Sequence, residues 1–164
     1  MSLRQKFDML LGEILAHCQA VYGERLVTCA VYGSVGRGTP RPDSDVDLLV
    51  IVDDLPAGRV KRVQEFEKAE ERVAPYLEKL KFEGLSTCLS PVIKTPAEVK
   101  EGSLLFLDML EDARILYDKG DFFASYLLQL KDRLERLGAV KFRRGNSWYW
   151  VLKPDYRFGE VFRI

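Results

Sequence analysis

Residues 31–52 read VYGSVGRGTPRPDSDVDLLVIV, and no other stretch limits the fold as much. A β-rich run over residues 25–32 stops at Gly33-Ser34. After ten intervening residues, Asp45 and Asp47 open a second run that continues as Leu48-Leu49-Val50-Ile51-Val52. Successive aliphatic residues leave this run no polar face, so it reads as a central strand covered on both sides. The aspartates then stand at its leading end, where the sheet meets solvent.

The spacing has chemical consequences. Residues two apart on a strand project from the same face, so Asp45 and Asp47 share one. Their Cα atoms would lie roughly 6.5 Å apart, about twice the rise per residue. Carboxylates so placed can converge on one divalent ion, or on two ions about 3.5–4 Å apart. Gly33-Ser34 supplies the complementary chemistry. Glycine accepts φ > 0 and close backbone approach. Successive N–H groups in such a turn form an anion-binding nest, and a helix beginning there would add its dipole. The Ser34 hydroxyl can donate to a phosphate oxygen, with Ser44 a second candidate. Arg37 and Arg41 can add charge-assisted contacts to phosphate.

Either half alone is ordinary. A Gly-Ser pair after a strand is commonly just a turn, and Asp-Ser-Asp-Val-Asp could be a helix cap followed by a strand. Joined within about twenty residues, with arginines between them, the halves suit a nucleoside triphosphate carried with magnesium. No Gly-Lys-Ser/Thr follows, which excludes a P-loop. The glycines at 33, 36 and 38 run G-x-x-G-x-G, which is not the dinucleotide-binding order.

Gly33-Ser34 followed after ten residues by Asp45-Val46-Asp47 resembles the signature of the nucleotidyltransferases of the DNA polymerase beta superfamily. The form GSxxRGxxRxDSDxDL in a small chain is similar to the minimal nucleotidyltransferases, or MNT proteins. That resemblance implies that Gly33, Ser34 and Arg37 face the triphosphate. It also implies that Asp45 and Asp47 are the catalytic ligands of Mg²⁺ or Mn²⁺. The implied activity is transfer of AMP from ATP, or NMP from another NTP, to a hydroxyl, releasing pyrophosphate. The implied partner is a HEPN-type toxin, adenylylated on a tyrosine, with this chain as antitoxin. Many enzymes of the superfamily carry a third carboxylate on a neighbouring strand. Residues 85–93, read here as the third strand, contain no acid, and Glu83 just before them is the nearest. The missing acid leaves a non-catalytic nucleotide-binding or toxin-neutralising module beside transfer, and the Trp/Arg hairpin of residues 141–153 leaves an RNA-binding adaptor.

The rest of the chain sets bounds. A length of 164 residues suits one domain with a small appendage, read here as 1–118 and 119–164 packed together. Zero formal net charge gives no global field for nucleic acid, although local basic patches such as residues 141–153 remain. No apolar run is long enough to span a bilayer. Cys18, Cys29 and Cys88 are isolated and read as reduced core thiols of a cytoplasmic protein.

Ser2 with Gln5 forms a capping-box pattern before a first helix. Strands are expected at 26–33, 46–53 and 85–93, with a short one at 114–117. A helix over 59–80, with Val60, Val63, Phe66, Val73, Leu77 and Leu80 inward, should kink or split at Pro75. One or two helices fill 96–111, and another runs to Leu137. Residues 140–143 and 148–152 form a hairpin turning at Gly145-Asn146. The fold class is α/β (α+β): a small mixed sheet flanked by helices, with a C-terminal helix and hairpin extension.

Overall fold

The computed structural model describes residues 1–145 and 147–164, so Asn146, expected at the hairpin turn, lies outside the described residues. These residues form two compact units, Met1–Ala124 and Ser125–Ile164. Among the described residues no helix is long and apolar enough to cross a membrane.

In the first unit, α1 (Leu3–Tyr22) begins at the expected capping box. The Gln5 N–H donates to the Ser2 hydroxyl at 3.3 Å, and the Ser2 N–H donates to the Gln5 side chain at 2.8 Å. Its buried stripe is Phe7, Leu10, Leu11, Ile14 and Cys18. There follow β1 (Leu26–Tyr32), the single turn α2 (Gly33–Gly36), β2 (Val46–Val52), α3 (Arg59–Phe82) and β3 (Leu89–Lys94). Then come α4 (Pro96–Glu101), α5 (Leu105–Asp112), β4 (Arg114–Asp118) and α6 (Phe122–Arg136), which runs on into the second unit.

The sheet order is β3-β2-β1-β4. β1 is antiparallel to both β2 and β4, and β2 is parallel to β3, so the sheet is mixed as expected. The continuous apolar character of β2 has the anticipated cause. Val46, Leu48, Val50 and Val52 enter one core with α1 and α3, while Leu49 and Ile51 are equally inaccessible on the other face.

Four expectations need correction. The third strand starts at Leu89 rather than Leu85. Residues 85–88 instead strap down the loop before β2. Ser86 N–H donates to the Pro42 carbonyl at 2.8 Å, and the Thr87 hydroxyl donates to the Ser44 carbonyl at 2.7 Å. α3 is not split at Pro75, since one helix spans Arg59–Phe82. Phe66 and Val73 before the proline and Leu80 after it enter the same core. Burial at about 1.5–3 kcal/mol for each outweighs roughly 3 kcal/mol for the lost bond and clash. Val60, expected inward, is exposed in the first turn of that helix. Finally, Cys18 and Cys29 are buried as expected, but Cys88 is exposed.

Asp118 joins several elements of this unit. Its carboxylate accepts from the buried Thr28 hydroxyl of β1 at 2.7 Å. It also accepts from the N–H groups of Phe123 and Ala124, at 3.0 and 2.9 Å, at the start of α6. In the second unit, β5 (Val140–Arg144) and β6 (Ser147–Val151) form an antiparallel ribbon with Phe142 opposite Tyr149.

Replacing Asp118 by Ala strands a buried hydroxyl and uncaps a helix, at a cost of about 1–3 kcal/mol. Equilibrium urea unfolding should show the midpoint falling accordingly, and an unchanged midpoint would refute this role.

Candidate functional site

The end of β1 and the start of β2 are neighbours, with Tyr32 paired to Asp47. The chain leaves β1 at Gly33, whose φ is +65°. A Cβ placed there would collide with the Asp47 carboxylate, so only glycine lets the turn approach so closely. Gly36, at the other end of α2, is equally confined. A Cβ there would overlap the backbone carbonyl oxygen of Asp112 and sit 2.8 Å from that of Val31. The α2 turn is thus wedged between the start of β2 and the end of α5. Ser34 is half-buried within it, and its carbonyl accepts from the Thr39 N–H at 2.9 Å.

Asp45 and Asp47 differ in environment. Asp45 is exposed, immediately before β2, and its carboxylate accepts from the Cys88 thiol at 3.0 Å. Asp47 is half-buried. Burial, followed by the Asp45 charge, raises its carboxyl above the usual 3.8, and the Arg37 charge partly offsets them. The hydrogen bond to Asp45, then burial, then the Asp45 charge push the Cys88 thiol up to about 11. Cys88 therefore stays protonated at neutral pH and acts as a donor.

Arg37 forms an ion pair with Asp112, the last residue of α5, which is buried. Its positive charge also reaches Asp47, whose carboxyl it lowers slightly. Ser44 is buried in the loop: its hydroxyl accepts from the Arg41 N–H at 2.9 Å, and its own N–H donates to the Arg41 carbonyl at 3.0 Å. Arg41 is exposed and lies 3.4 Å from Asp43. Glu83, the nearest acid to the third strand by sequence, is occupied by Lys6 of α1 at 3.0 Å.

Sequence reasoning missed Asp112, which lies 75 positions from Arg37 and carries no local motif. It also missed the Cys88 contact and the Glu70 carboxylate of α3, whose charge reaches Cys88. Ser90 of β3, not an acid, pairs with Asp47.

Comparison with known proteins places this geometry in context. Residues 18–105 match the family model described as "Nucleotidyltransferase domain". Among curated proteins, the chain is 30% identical over 141 residues to "Putative protein adenylyltransferase MJ1305" of Methanocaldococcus jannaschii, covering 85% of this chain and 90% of the relative. Among solved structures it is similar to a toxin–antitoxin crystal structure with AMP-PNP. The identity is 15% and the TM-score 0.49, over 77% of this chain and 88% of that one. A MntA–HpeT toxin–antitoxin structure carrying a tyrosine-to-alanine mutant gives 16% identity and a TM-score of 0.48, over 77% and 86% of the chains.

Two stability measurements test the geometry. Gly33→Ala forces a strained φ and a clash with Asp47, so its Tm should fall by several degrees, corresponding to about 1–3 kcal/mol; an unshifted Tm would contradict the close approach. Asp47 behaves oppositely. Its folded-state value lies above the unfolded 3.8, so its charged form opposes folding. The penalty is absent below the unfolded value, appears as pH rises through the folded one, and is complete at neutral pH. Asp47→Asn should therefore be at least as stable as the natural chain at pH 7 without metal, and the difference should shrink towards about pH 4. Thermal melts at the two pH values decide the matter; a clear loss of stability at pH 7 would contradict the assigned electrostatics.

Proposed function

We propose that this chain, which belongs to the nucleotidyltransferase domain family, is an adenylyltransferase that moves AMP from ATP to a hydroxyl of an acceptor protein. The observation that carries this reading is the packing of Gly33 on the Asp47 carboxylate, which sets a phosphate-type turn against a carboxylate pair. The relative's description as a protein adenylyltransferase supports both the nucleotide and the kind of acceptor. The MNT resemblance points further, to a HEPN-type toxin in the cytoplasm, with this chain as antitoxin.

The donor set fits a divalent cation held jointly with substrate. Among the described residues no group of three or more His, Cys, Asp or Glu could enclose a metal. Two carboxylates with mutual repulsion suit Mg²⁺ or Mn²⁺, ions that keep open positions for phosphate oxygens and water. When bound, such an ion neutralises the triphosphate and the departing pyrophosphate.

The chain's own residues do the rest. Gly33 and Ser34 hold the phosphates from the turn, and Arg37, braced by Asp112, offers them its guanidinium. Ser44 contributes by fixing the loop that carries Asp45. In the transfer step the acceptor oxygen bonds to the α-phosphorus as the bond to pyrophosphate breaks. No acid of β3 stands by to take the hydroxyl proton, so a base on the acceptor or solvent receives it. Rate enhancement then comes from positioning and charge.

The acid-free β3 favours one competing reading, a module that binds nucleotide without turnover. Incubation with ATP labelled on the α-phosphate, Mg²⁺ and host lysate separates the two. Transfer predicts label on a protein and released pyrophosphate, with at least about a 100-fold loss in Asp47→Asn. Saturable nucleotide binding without movement of label would establish the module instead, and full activity in Asp47→Asn would refute the assigned site.

A further inference from the structure

We propose that the C-terminal segment, residues 140–145 and 147–164, is a binding surface for single-stranded RNA. The chain's zero net charge conceals a segregation. In the sequence, positions 140–164 hold six basic and two acidic side chains, a net +4, which leaves net −4 on the remainder. Both acids are held locally by one lysine: Lys153 Nζ lies 3.0 Å from Asp155 and 3.3 Å from Glu160. Lys141, Arg143, Arg144, Arg157 and Arg163 supply the remaining positive charge.

The same stretch contains seven aromatic residues. On one face of the β5–β6 ribbon, Phe142 and Tyr149 stack with centroids 5.5 Å apart and planes at 21°. They remain 45% and 51% exposed, too open to be core. On the other face, the Lys141 ammonium lies 4.5 Å from the Trp148 ring. Tyr156 and Phe158 are exposed in the tail that follows. Exposed rings interleaved with cations on a ribbon match a polyanion whose flat bases are free to stack. A duplex, with its bases already stacked, does not offer them. An acidic protein surface would satisfy the charge but would not call for open ring faces.

Both tryptophans of the chain lie in β6, so selectively excited tryptophan fluorescence reports on this ribbon. The full chain is titrated with a mixed-sequence single-stranded RNA of about 15 nucleotides. Saturable quenching is expected. With about four phosphates contacted, affinity should fall about 50-fold between 50 and 200 mM salt. Phe142→Ala with Tyr149→Ala should weaken binding at least about tenfold, with the circular dichroism spectrum unchanged. Arg143→Gln with Arg144→Gln keeps every ring and should flatten the salt dependence, which keeps the proposal testable if the ring variant misfolds. Absence of quenching at 50 mM salt would overturn it. So would equal quenching by polyglutamate, which would mark an acidic protein as the partner, or undiminished binding in a folded ring variant. The readout needs neither ATP nor transfer, so its failure leaves the adenylyltransferase reading intact.

Discussion

Two glycines without room for a Cβ govern the geometry of this protein. Gly33 lies on the Asp47 carboxylate, and Gly36 lies under the carbonyls of Asp112 and Val31. Between them the α2 turn is fixed against the start of β2 and the end of α5. The fold exists around that contact in a definite sense. β1 must run antiparallel to β2 for Tyr32 to face Asp47, and both faces of β2 must be covered for its aspartates to emerge only at the end. The Arg37–Asp112 pair then ties the turn to α5 through a buried carboxylate, a partner costly to leave alone.

The carboxylate corner is electrostatically tense. Asp45 and Asp47 repel each other, and burial adds to the difficulty of charging Asp47. Arg37 and the Cys88 thiol relieve part of this, one by charge and one by donation. A site that keeps its acids poorly compensated is one in which a cation would gain by binding.

Much of this was legible in the sequence because it is local. The Gly33-Ser34 to Asp45/Asp47 spacing, the aliphatic run of β2 and the Ser2/Gln5 capping box each lie within a few residues or one hairpin. What escaped depends on distant partners. Asp112 gains its role only when α5 is packed beside α2. Cys88 read as a core thiol because its neighbours are apolar, yet it lies in the strap beside Asp45. The third strand begins late because residues 85–88 give their hydrogen bonds to the preceding loop. Pro75 was a sound local signal for a break, overruled by the core contacts on either side of it.

Electron paramagnetic resonance of Mn²⁺ titrated into the protein, with and without a non-hydrolysable ATP analogue, probes the carboxylate corner itself. If two aspartates opposite a phosphate turn form a shared cation site, Mn²⁺ should bind weakly alone and much more tightly with the nucleotide, and Asp45→Asn should abolish the difference. Nucleotide-independent Mn²⁺ binding, or binding indifferent to that substitution, would contradict it.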